Sequence, residues 1–116
     1  MKVAYIAHPV GGNIFANIEA ILQIAKQINF SEPETVPHSP YITDVLYLDD
    51  SDPDQRNRGM KNNFALFHKG FIDEVRLYGP RISAGMKAEV ELALQLGIPV
   101  VPMTPETKVE FNRIYI

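Results

Sequence analysis

Glu89 stands where a helix should be apolar. In RISAGMKAEVELA, residues 81 to 93, a rotation of about 100° per residue gathers Lys87, Glu91 and Gln95 on one polar arc. Glu89 falls instead between Ala93 and Leu96, on the side that should be buried. A carboxylate so placed must be paired, protonated or given a cavity to face, and carboxyls perturbed in this way gather at functional sites. A structural origin carries equal weight on geometry alone, because a Glu near the start of a helix is also favoured by the macrodipole. Ser83, six residues earlier, either caps this helix or offers a hydroxyl to the same cavity.

Other residues have chemistry to offer and plainer alternatives beside it. His8 closes an apolar run, where a neutral imidazole can hydrogen-bond a ligand or move a proton, and where a structural role serves as well. The Gly11-Gly12 pair that follows would let backbone N–H groups approach an anion ahead of a helix. It matches neither a P-loop nor G-x-G-x-x-G, and a plain tight turn is the better account of it in isolation. His38 can line a pocket lid, although a solvated loop histidine is the simpler reading, and Asp73 can cap a turn. The acidic run Asp49, Asp50, Asp52 and Asp54 lacks the Gly and distal Glu of a calcium loop, and Arg56, Arg58 and Lys61 read as a solvated basic face.

The elements that must position these residues alternate. KVAYIA, residues 2 to 7, reads as a buried strand, and from an Asn13 cap the apolar residues Ile14, Ile18, Ile21, Leu22, Ala25 and Ile28 give a helix to about residue 28. Residues 31 to 54, rich in proline and turn formers, read as a loop in which YITDVLYL supplies a short strand. A helix follows over 53 to 70, then a strand around 73 to 78, the loop and helix containing Glu89, a strand from IPVV, and a final turn or helix with an edge strand at the end. Such alternation predicts an α/β fold, one domain over residues 1–116, doubly wound in the Rossmann or flavodoxin manner. About four to five mostly parallel strands would carry helices on both faces, with ligands collecting at their carboxyl ends near the switch in strand order.

Composition removes several classes. The 11 Lys and Arg against 14 Asp and Glu give a net charge of -3, too acidic for a nucleic-acid binder that relies on a basic surface. With no cysteine there is neither a disulfide nor a thiolate zinc site. No apolar run reaches the roughly 18 residues of a membrane span. A cytoplasmic protein without membrane, metal or cofactor is the expectation.

YIAHP at the end of the first strand, DEVRLYG as a central strand, and RISAGMKAEVELALQLGIPV after it together resemble the nucleoside 2-deoxyribosyltransferase-like superfamily. Its small nucleotide N-glycosidase relatives are included, as is an uncharacterised branch of bacteria and phages, to which Pro37-His38, Arg58 to Met60 and Arg81 are typical. The resemblance implies that Glu89 is the nucleophile, with Gly85 of a G-x-x-x-E pattern and Ser83 as substrate contacts. It further implies that Asp73 assists the leaving base or holds the sugar, and that Tyr5 is the aromatic of the first strand. His8, Gly11, Gly12, Arg81 and His38 complete the expected substrate set, with Arg81, Ser83 and the glycine backbone available to a 5′-phosphate. The implied activity is N-glycosidase or deoxyribosyltransferase action on a small nucleoside or nucleotide, by a homodimer or larger homo-oligomer. The alternative is a nucleotide-binding or sensing module without turnover; a flavodoxin-like or receiver-like domain ranks last.

Overall fold

The structure, a computed structural model, describes residues 1–116. The first strand, β1 (Lys2–Ala7), leads to α1 (Ile14–Ser31), β2 (Thr35–His38), α2 (Ile42–Tyr47), α3 (Pro53–Phe67), β3 (Glu74–Leu77), α4 (Ala84–Gln95), β4 (Val100–Pro102) and α5 (Pro105–Tyr115). All four strands are parallel, in the order β2-β1-β3-β4. The chain therefore leaves β1 in one direction to make β2 and returns on the other side to make β3. The reversal lies between β1 and β3, the place where such sheets open a crevice at their carboxyl ends.

Strand alternation explains the two layers of core. Tyr5 and Ala7 of β1, with Val75 and Leu77 of β3, meet Phe67 of α3 and Met86, Val90 and Ala93 of α4 in one cluster. Ile6 points to the other face and packs with Ile21 and Ile28 of α1. Arg76 is also buried, and its guanidinium is spent on Glu32 beyond the end of α1 (both bonds 2.8 Å) and on Glu74 (2.6 Å). The pair with Glu32 fastens the end of α1 to the sheet.

Helix ends follow their sequence signals. The Asn13 side chain accepts from Ala16 N–H at 3.2 Å, and Ser83 Oγ accepts from Met86 N–H at 3.3 Å, so Ser83 does cap α4. The first helix runs on to Ser31, and α3 stops at Phe67, short of residue 70.

Two expectations are corrected. YITDVLYL forms no strand: Ile42–Tyr47 is a helix, steadied by Asp44, which accepts from Tyr47 Oη at 2.7 Å and from Asn62 Nδ2 at 3.2 Å. The strand lies earlier, at Thr35–His38, with Pro37 inside it. An edge position makes that proline tolerable, because only one side of β2 has a partner to bond. No edge strand closes the chain either, since Thr104 caps α5 and the helix runs from Pro105 to Tyr115.

Candidate active site

Beside the switch in strand order, a cavity of about 350 Å³ opens between the loop after β1, the loop leading into α4, and the α2–α3 wall. Glu89 reaches it from the second turn of α4. The residue is only 9% exposed, yet it lines the cavity. Tyr5, wholly buried beneath, donates its hydroxyl to Glu89 Oε2. Asn63 Nδ2 donates to the same oxygen at 3.2 Å and to Tyr5 Oη at 2.7 Å.

Burial dominates the electrostatics. It pushes the Glu89 carboxyl from its ordinary 4.5 up to about 7, against the pull of the Tyr5 and Asn63 hydrogen bonds, which favour the charged form. Burial likewise holds the Tyr5 and Tyr41 phenols well above their usual range, with the nearby Glu89 charge adding to it. Tyr5 thus remains a proton donor across the range in which Glu89 titrates, and Tyr41 spends its hydroxyl on the Ile6 carbonyl at 2.6 Å.

Of the other expected residues, His8, Gly11, Arg81, Ser83 and Gly85 come together around the cavity. The His8 Nδ1–H donates to the Pro9 carbonyl at 2.7 Å, which assigns the proton to Nδ1 and leaves Nε2 for another partner. Gly79 makes room for that arrangement. Its φ is +87°, and a Cβ there would lie 2.7 Å from Pro9 Cδ and 3.4 Å from the His8 ring. Gly79→Ala is therefore expected to cost about 1–3 kcal/mol, read as a lower melting temperature.

Four expected residues lie outside the lining: Tyr5, which sits beneath it as Glu89's hydrogen-bond donor and not as a substrate contact, and Gly12, His38 and Asp73. Gly12 continues the loop with φ +89° but does not face the cavity. His38 sits half-buried between the rings of Tyr5 (6.1 Å) and Phe71 (5.3 Å), its Nε2 without a partner, and burial lowers its pKa. Asp73 is at the amino end of β3, where its Oδ2 accepts from Val3 N–H at 2.7 Å and its own N–H bonds the Val3 carbonyl at 2.9 Å. It is a clasp between β1 and β3 at the far end of the sheet from Glu89.

Sequence reasoning passed over Asn63 and Tyr41 and assigned Arg56 to a solvated basic face, yet all three line the cavity. Asn63 carried a usable signal: Met60, Asn63, Phe64 and Phe67 recur at helical spacing, so the amide lies on the arc α3 buries, as Glu89 does on α4. No group of three or more His, Asp or Glu side chains is arranged to hold a metal ion, and no helix is long and apolar enough to cross a membrane.

Residues 2–103 match the model of a family described as a domain of unknown function, DUF7768. The chain belongs to this family. No curated protein matches the DUF7768 chain in sequence. Among solved structures it resembles a 2-deoxyribosyltransferase from Bacillus psychrosaccharolyticus, with a TM-score of 0.62 and 17% identity over 89% of this chain and 72% of that one. It also resembles a 2-deoxyribosyltransferase from Leishmania mexicana, with a TM-score of 0.57 and 16% identity. That match covers 89% of the DUF7768 chain and 64% of the Leishmania chain. At these identities the likeness is one of fold.

Proposed function

We propose that this protein cleaves or transfers at the N-glycosidic bond of a nucleoside, deoxynucleoside or nucleoside 5′-monophosphate, with Glu89 as the nucleophile. The observation that carries the proposal is Glu89 itself: a carboxylate almost removed from water, anchored through one oxygen, facing a cavity at the carboxyl ends of a parallel sheet. The fold shared with two 2-deoxyribosyltransferases supports it.

An ionised Glu89 attacks the anomeric carbon as the bond to the base nitrogen breaks. The bonding pair leaves with the base, which takes up a proton from water, and the sugar remains as a glycosyl ester of Glu89. Water or a second base then attacks the same carbon and frees the carboxylate. Desolvation favours the first step, because an anion stripped of water is neutralised as the ester forms. Asp73, at the other end of the sheet, has no part in either step.

For a monophosphate, Arg81 and the N–H groups of Ala84 and Gly85 provide the anion site; those N–H groups open α4 without an acceptor inside the helix. The test is base release or exchange over a panel of nucleosides and their 5′-monophosphates. Arg81→Ala is expected to raise KM for a monophosphate by about tenfold, from the loss of a charge-assisted bond, while changing KM for the parent nucleoside much less. Equal effects on both would remove Arg81 from phosphate binding. Stabilisation by nucleotides without any product would assign the cavity to binding alone.

A further inference from the structure

Asn63 is 9% exposed and lies on the apolar arc of α3, where an amide without partners costs about 1–3 kcal/mol. Both hydrogens of its Nδ2 are used, one on Tyr5 Oη at 2.7 Å and one on Glu89 Oε2 at 3.2 Å. Tyr5 in turn donates to that same Oε2, so the three side chains close a ring of donors ending on one carboxylate oxygen. The ring also fixes the amide's orientation. Exchanging its N and O would set Oδ1 against Oε2 and leave the Tyr5 oxygen without its donor. The orientation has a cost, for Oδ1 is enclosed and has no partner.

The geometry points to Asn63 as a positioning residue for Glu89: together with Tyr5 it secures Oε2, so that Oε1, which accepts no bond from the protein, is the oxygen presented to the cavity. This rests on the proposed role of Glu89 for its kinetic consequence only. The titratable neighbours are Tyr5 on β1 and Tyr41 ahead of α2, and the cavity that Glu89 faces is also lined by His8 just after β1, Asp44 of α2, Asp50, Arg56 of α3 and Arg81. Both phenols stay neutral, and neither Arg56 nor Arg81 pairs with the carboxylate. Asn63 is thus one of two groups that ease ionisation of Glu89, and its loss should leave the proton on Glu89 to higher pH.

The experiment uses protein carrying ¹³C-labelled Glu side-chain carboxyls, with the Glu89 resonance assigned by its disappearance in Glu89→Gln. In Asn63→Ala the Glu89 midpoint should rise by at least about 0.5 pH. In Asn63→Asp, which keeps the shape of the site, two carboxyls must share a proton and Glu89 should titrate higher still. On a substrate from the panel, a midpoint raised by one pH lowers the ionised fraction, and with it kcat at pH 6, about tenfold. That loss should recover towards pH 9 with KM unchanged. A folded variant of either kind in which Glu89 keeps the wild-type midpoint overturns the proposal, and so does a kcat loss that is the same at every pH. If no member of the panel is turned over, the N-glycosidic reading fails, while the titration still decides the role of Asn63.

Discussion

Glu89→Gln is expected to lose a thousandfold or more in turnover, on the order of what removal of a covalent nucleophile costs, and at the same time to make the protein more stable. The amide keeps the carbonyl oxygen that Tyr5 and Asn63 grip, so the fold has little to lose. What it gains follows from the ionisation of Glu89. The folded state holds that proton up to about pH 7, whereas the ordinary value is 4.5. Below both values the carboxyl is neutral in folded and unfolded chains and contributes no penalty. Between them the unfolded chain ionises while the folded one does not, so stability falls as pH rises, and above pH 7 the penalty is complete. A displacement from 4.5 to about 7 corresponds to about 3 kcal/mol. Gln removes it, so denaturant midpoints should show a gain of about 3 kcal/mol at pH 8 and under about 1 kcal/mol at pH 5. A gain of the same size at both pH values would mean that Glu89 is not buried with a raised pKa. Retained turnover would remove it from the chemistry.

The opposition of stability and activity at one residue is also what made the site legible. Glu89 was visible in the sequence because a helix wheel has a wrong side for a charge. The same test applied to α3 singles out Asn63, but that helix is recognisable by its Pro53 start and Gly70 stop more than by its modest apolar content, and an amide on a weak stripe attracts less notice than an acid. The rule that parallel sheets bind at their carboxyl ends directs attention to the loops after β1 and before α4, and His8, Gly11, Arg81, Ser83 and Gly85 line one cavity there. The same rule argues against Asp73, which opens β3 and so belongs to the amino end. Segment 31–54 resisted for a different reason. Its strand is short and contains a proline admissible only at an edge, while β-branched and aromatic residues in YITDVLYL imitate a strand that side-chain bonds from Asp44 turn into a helix. Local propensity there gives way to tertiary context.

Tyr5→Phe should separate the two things that Tyr5 does. Its ring packs against Phe67 at 4.9 Å and Tyr41 at 5.8 Å, and Phe preserves both contacts. Its hydroxyl donates to Glu89 and so favours the ionised carboxyl; without it, only Asn63 opposes the burial that raises the pKa. The sign is therefore fixed: in Tyr5→Phe, Glu89 ionises at a higher pH than about 7, and the rising limb of the pH–rate profile moves up with it. If the lost hydrogen bond is worth about 1.5–3 kcal/mol, as bonds to charged groups are, turnover at pH 6 falls by roughly ten- to a hundredfold. Much of that loss returns at pH 9, where the carboxyl ionises without help. Substrate affinity should change little, because Tyr5 lies beneath the cavity and not on its wall. A pH–rate profile on a substrate identified from the panel decides the matter. A limb that moves upward means that Tyr5 acts through the charge of Glu89. A limb that stays in place beneath a lower plateau means that the hydroxyl orients the carboxylate without governing its proton, and the closed ring of Tyr5, Asn63 and Glu89 would then be a device of geometry rather than of ionisation.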